Sequence, residues 1–157
     1  MNWESIGAIS EFVGAAAVVA TLLYLAAQIR QTNANQRVAA KQEMTRQFAE
    51  FIDFMVLNPH LASIHDRGLA GEDLNPEESI IFSRIMAKAT WYFSTMHFQY
   101  RIQSLEQGDW EESRSLIAFY CSSPGFQRFW TTRARAHGKE FLDYVDGEID
   151  AALNTNT

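Results

Sequence analysis

Apolar positions are most concentrated at the start of the chain. The run from Phe12 to Ala27 reads Phe-Val-Gly-Ala-Ala-Ala-Val-Val-Ala-Thr-Leu-Leu-Tyr-Leu-Ala-Ala and closes with Gln28, Ile29 and Arg30. Taken from Ile6 to Ile29, it would form a helix roughly 36 Å long, enough to cross a hydrocarbon core of about 30 Å with some tilt. Its strongly polar members, Ser10, Glu11 and Gln28, sit near the two ends. The pattern predicts a single transmembrane helix, with residues 1–29 as an anchor. Three other readings stay open. A cleaved signal peptide would use the small residues at Leu25-Ala26-Ala27, although Met1-Asn2-Trp3-Glu4 lacks the basic residues of such a signal. A buried soluble helix is compatible with so much alanine. An interfacial helix would need a basic polar face, which the run does not have.

Within the run the small and polar residues are not scattered. At 100° per residue Gly7, Ser10, Gly14, Ala17, Thr21 and Gln28 share an arc of about 80°, with Phe12, Val19 and Leu23 opposite. Such a seam lets helix backbones approach closely in lipid. The seven-residue spacing Gly7, Gly14, Thr21, Gln28 favours a left-handed crossing. The flanks set a direction. Glu4 and Glu11 come before or early in the run, whereas Arg30, Arg37, Lys41 and Arg46 follow it with Glu43 alone against them. Basic residues stay on the cytoplasmic side. The expected topology is an outside N-terminus in the inner (plasma) membrane, with residues 30–157 forming a cytoplasmic helical domain. Trp3 and Tyr24 lie where interfacial aromatics are favoured.

The rest of the chain has helical periodicity throughout. No helix breaker occurs between Arg30 and Arg37, so the anchor helix can continue through residues 30–58. Val38, Met44, Phe48, Phe51, Ile52 and Met55 recur at helical spacing until Asn58-Pro59. A short helical turn and a linker, Arg67 to Asp73, should follow. Asn75-Pro76-Glu77-Glu78 is a strong helix start, and Gly108 is the expected stop. That helix, Pro76 to about Gln107, contains Phe82, Trp91, Tyr92, Phe93, Phe98 and Tyr100. Its aromatics fall on more than one face, which predicts a central position with Trp91 buried. Asp109 is the expected cap of a helix from Trp110 to about Cys121. After Ser123-Pro124-Gly125, further helices should cover Phe126 to about Ala136 and Lys139 to about Leu153. The fold class is therefore all-α: an anchor helix and a bundle of about four to five helices.

Composition narrows the function classes. The chain has 157 residues, 47% hydrophobic and 20% charged, with net charge −6 and pI about 5.2. An acidic balance argues against nucleic acid as a partner. A single cysteine, Cys121, excludes an intramolecular disulfide and fits a reducing compartment.

The order of these segments resembles a widespread group of uncharacterised bacterial proteins. The quoted features are the Tyr24-Leu25-Ala26-Ala27-Gln28-Ile29-Arg30-Gln31 element, Asn58-Pro59, Asn75-Pro76-Glu77-Glu78, Gly108-Asp109-Trp110 and Pro124-Gly125 followed by Trp130. These motifs are structural punctuation. The resemblance implies a helical fold and membrane attachment, and no activity.

No catalytic signature accompanies them. His60 and His65 are five apart rather than the i, i+4 pair of a helical zinc site, and Glu-x-x-His is absent. There is no phosphate loop, nucleophile elbow or dinucleotide fingerprint, and no cofactor is implied. Cys121, inside Ile117-Ala118-Phe119-Tyr120, reads as an inert core thiol. His97, among aromatics, is the most interesting titratable group. Two surface candidates remain. Arg128, Arg133, Arg135 and Lys139 around Trp130 could meet anionic headgroups or an acidic partner. They could instead pair with Glu140, Asp143, Asp146, Glu148 and Asp150. Glu11 is an acid in an apolar span, near enough to the interface to be hydrated. The expected function is a self-associating membrane-anchored interaction module with the bilayer, itself and an unidentified cytoplasmic protein as partners. The alternative is a small homo-oligomeric channel whose pore lies near the seam, with Glu11 as a ring of charge.

Overall fold

The structure, a computed structural model, describes the backbone of residues 3–133 and 136–155 and the side chains of residues 11–133 and 136–154. Among these residues there are six α-helices and no strand. Helix α1 runs unbroken from Trp3 to Leu57. It is followed by α2 (Pro59–Ala70), α3 (Pro76–Arg101), α4 (Gln107–Cys121), α5 (Pro124–Arg133) and α6 (Lys139–Thr155). The all-α expectation holds, and the N-terminal helix does continue through residues 30–57. The chain divides into two units, α1 up to Ala39 and a compact unit from Ala40 onward.

Local chemistry explains most helix ends. Asn58 closes α1 by donating from Nδ2 to the Phe54 carbonyl, 2.8 Å away, and Pro59 opens α2 without needing an N–H. Helix α2 is three turns long rather than the short turn expected. It ends at Gly71, whose φ of 80° is in the left-handed region. There Gly71 and Glu72 donate backwards to the Gly68 and Arg67 carbonyls, the paired bonds of a Schellman closure. Asn75 and Glu78 form a reciprocal capping box at the start of α3.

Helix α3 stops at Arg101, six residues before the expected Gln107. Gln103 takes φ 58°, and Gln103 and Ser104 donate back to Tyr100 and Gln99. The chain makes the same closure as at Gly71 without a glycine, and Leu105 is then buried in the core. Nor is Asp109 the cap of α4. Glu106 occupies that place, while Asp109 lies in the first turn, with Lys41 Nζ 2.5 Å from its carboxylate.

The core of the compact unit takes Ile64 from α2, Met86 and Phe93 from α3, Ile117 from α4, Phe126 from α5 and Val145 from α6. Helix α1 adds Met44 and Met55. Helix α3 packs against α2, α4, α5 and α6, so it is central. It is not buried all round, however. Phe82, Ile85, Met86, Ala89, Phe93 and Met96 form one inward stripe, whereas Trp91 is 57% exposed, with Ile80, Phe98 and Tyr100 also exposed. The expected burial of Trp91 is corrected: it lies two residues from Phe93, about 200° round the helix.

Candidate functional site

The N-terminal unit is one apolar helix with nothing covering it. From Glu11 to Ala39 every residue is exposed, including Phe12, Leu22, Leu23 and Tyr24. The described part of α1 is long and apolar enough to cross a membrane, and its apolar window has no buried residue. A core helix of a soluble protein would be mostly buried, so this observation weighs against that reading. Because the helix is unbroken, Gly14, Ala17, Thr21 and Gln28 do share one face. A Cβ on Gly14 would meet nothing within 4 Å. The Thr21 hydroxyl donates to the Ala17 carbonyl at 2.8 Å, so this polar side chain is satisfied inside its own helix. Gly7 and Ser10 fall in the helical backbone, and the side chain of Ser10 lies outside the described residues. Glu11 is exposed.

The basic patch is not assembled as expected. Trp130, its intended centre, is 3% exposed, stacks on Phe126 with ring centroids 5.9 Å apart, and donates from Nε1 to Asp146 Oδ1 at 2.7 Å. It is a core residue with a satisfied indole, because α5 turns this face inward. Lys139 pairs with Asp143 one turn along α6, at 2.8 Å. Glu148 receives Arg114 at 2.9 Å, and Glu140 pairs with Arg101. Arg128 and Arg133 are exposed and line a shallow cleft that also contains Glu72 and Asp73. Arg135 lies outside the described residues.

The titratable groups are placed as follows. Cys121 is fully buried, and burial, helped by Glu148, pushes its thiol up to about 12. His97 stacks on Tyr144 at 4.8 Å, and burial, with Arg101 nearby, holds its pKa below the ordinary histidine value. His65 joins Asp66 to Tyr120: Nδ1 is 2.9 Å from Asp66 Oδ1 and Nε2 is 2.9 Å from the Tyr120 hydroxyl. Desolvation raises the Tyr120 pKa to about 12. Among the described residues no three His, Cys, Asp or Glu side chains are grouped to hold a metal ion.

A cleft of about 370 Å³ lies between the Gln47–Phe51 turn of α1, the Lys88–Thr95 face of α3, and Leu116 and Tyr120 of α4. Its walls are the rings of Phe48, Phe51, Tyr92, Phe93 and Tyr120. Helical periodicity marks these aromatics as core, but only the packing of the last turns of α1, within the compact unit, against α3 and α4 leaves a space between them.

Comparison with known proteins adds no relative. No protein-family model, curated protein or solved structure matches this chain.

Proposed function

We propose that this protein is a membrane-anchored helical module that associates with itself through α1 and presents its compact unit in the cytoplasm as an interaction domain. One observation carries the reading: the apolar surface from Glu11 to Ile29 is exposed on every side of a continuous helix. In water that surface would drive aggregation. A bilayer removes it, and a helix is the element whose backbone is already satisfied there. Arg30, Arg37, Lys41 and Arg46 directly beyond the span favour a cytoplasmic compact unit and an outside N-terminus. Small side chains at Gly14 and Ala17 and the internally bonded Thr21 give α1 a face on which a second copy can pack closely.

The test is extraction. Full-length protein should sediment with membranes and resist alkaline carbonate, and removal of residues 1–29 should release the remainder. A C-terminal reporter should be active on the cytoplasmic side. Recovery of the intact chain in the soluble fraction would defeat the anchor, and an outward-facing reporter would defeat the orientation.

A further inference from the structure

The cleft beneath α1 combines an apolar interior with an unbalanced rim. Its volume of about 370 Å³ is at the lower end of the range that holds small organic ligands, about 300–1,000 Å³. The polar groups around it are largely engaged within the protein. The Tyr120 hydroxyl is bonded to His65 at 2.9 Å, and the Tyr92 hydroxyl donates to the Met44 carbonyl at 3.3 Å. Thr95 donates to the Trp91 carbonyl at 3.0 Å, and the Glu50 carboxylate is paired with Arg46. Two donors remain. Lys88 has no carboxylate partner among the described residues, its ammonium standing 5.9 and 5.7 Å from the ring centroids of Phe51 and Phe54. The indole N–H of Trp91, one turn further along α3, also has no acceptor there. Lys88 and Trp91 are three residues apart and so are neighbours on the helix surface.

A site with aromatic walls, satisfied hydroxyls and two free donors at its edge is matched to a ligand with an apolar body and one anionic end. We propose that this cleft binds a single-chain carboxylate, a free fatty acid, with its hydrocarbon among Phe48, Phe51, Tyr92 and Phe93 and its carboxylate at Lys88 and Trp91. The volume takes one short chain and not the two chains of a bilayer phospholipid. A neutral or cationic amphiphile would forgo the charge-assisted bond that a carboxylate makes with the Lys88 ammonium. The site lies wholly within the compact unit, so this inference stands apart from the membrane reading of α1.

The experiment is photolabelling of the full chain in phosphatidylcholine nanodiscs with a diazirine-bearing dodecanoic acid, mapped by peptide mass spectrometry. The readout is label in the peptides holding Gln47–Phe51 and Lys88–Thr95, whatever the label does along residues 11–29. Dodecanoate should compete for it at least about tenfold better than dodecanol, the difference expected of a charge-assisted bond. Lys88→Met keeps the aliphatic stem against the two phenylalanines and should abolish that preference without altering the circular dichroism. Leu116→Trp should fill the cleft and suppress labelling there. Label confined to α1, equal competition by dodecanol, or a preference that survives Lys88→Met would overturn the proposal. So would suppression of labelling by phosphatidylglycerol in the disc, which would give the site to a bilayer lipid.

Discussion

Gly125, at the start of α5, packs directly on Gly68 of α2. A Cβ added to Gly125 would overlap the Gly68 carbonyl oxygen, and one added to Gly68 would overlap the ring of Phe82 on α3. Three helices therefore meet where two residues have no side chain. Backbone, not a flexible side chain, blocks the space at Gly125, so relief requires moving α2 against α5.

Gly125→Ala should accordingly lower stability by about 1–3 kcal/mol, the usual cost of overpacking a close-fitted site. Gly147→Ala provides the contrast. Gly147 is exposed within α6 and an added methyl meets nothing within 4 Å, so alanine should stabilise by about 0.5–1 kcal/mol through helix propensity. Urea unfolding of both variants in the same mild detergent checks the pair. Equal effects would mean that the α2–α5 crossing is not close.

Trp91 and Phe93 should respond in opposite ways despite their proximity in sequence. Phe93 is 2% exposed and lies at the centre of the core, so Phe93→Ala should cost about 3–5 kcal/mol. Trp91→Ala, at an exposed position, should cost under about 1 kcal/mol. Denaturation midpoints of the two variants decide it, and a Trp91 cost matching that of Phe93 would require the tryptophan to be covered by a partner.

Cys121 makes stability depend on alkaline pH. Its thiol is held at about 12 in the folded chain against an ordinary 9.0, so the unfolded chain loses this proton first. The stabilisation is full below about pH 9 and declines as pH rises towards 12. Cys121→Ala should remove that part of the decline. Native Cys121 should also resist maleimide at neutral pH and react fully in denaturant, because it is buried. Rapid native labelling would show that α4 opens.

The seam on α1 can be tested by size alone. If Gly14, Ala17 and Thr21 form the face on which α1 meets its copy, Gly14→Leu should reduce the oligomer in mild detergent. Ala16→Leu, about 200° round the helix from Gly14, should leave it intact. Size-exclusion chromatography with light scattering distinguishes the two. Equal disruption would remove the seam from the account of self-association.

Much of this architecture was legible before folding because it is governed by neighbours in sequence. Asn58-Pro59 and Asn75-Pro76-Glu77-Glu78 set helix boundaries through their own backbone chemistry, and the apolar run of α1 announces itself by length alone. The end of α3 was not legible, since Gln103 enters the left-handed region as the chain turns to bury Leu105. Other features depended on which helix lies beside which. Gly68 has the local composition of a linker, yet it is helical and in close contact with α5. Trp130 has basic neighbours in sequence, but packing brings Asp146 of α6 to its indole and buries it. Trp91 and Phe93, equally aromatic, were separated only by the direction from which α2, α4, α5 and α6 approach α3. The cleft under α1 belongs to the same class: a space between helices is a property of their packing, and packing joins residues too distant in sequence for any local pattern to record.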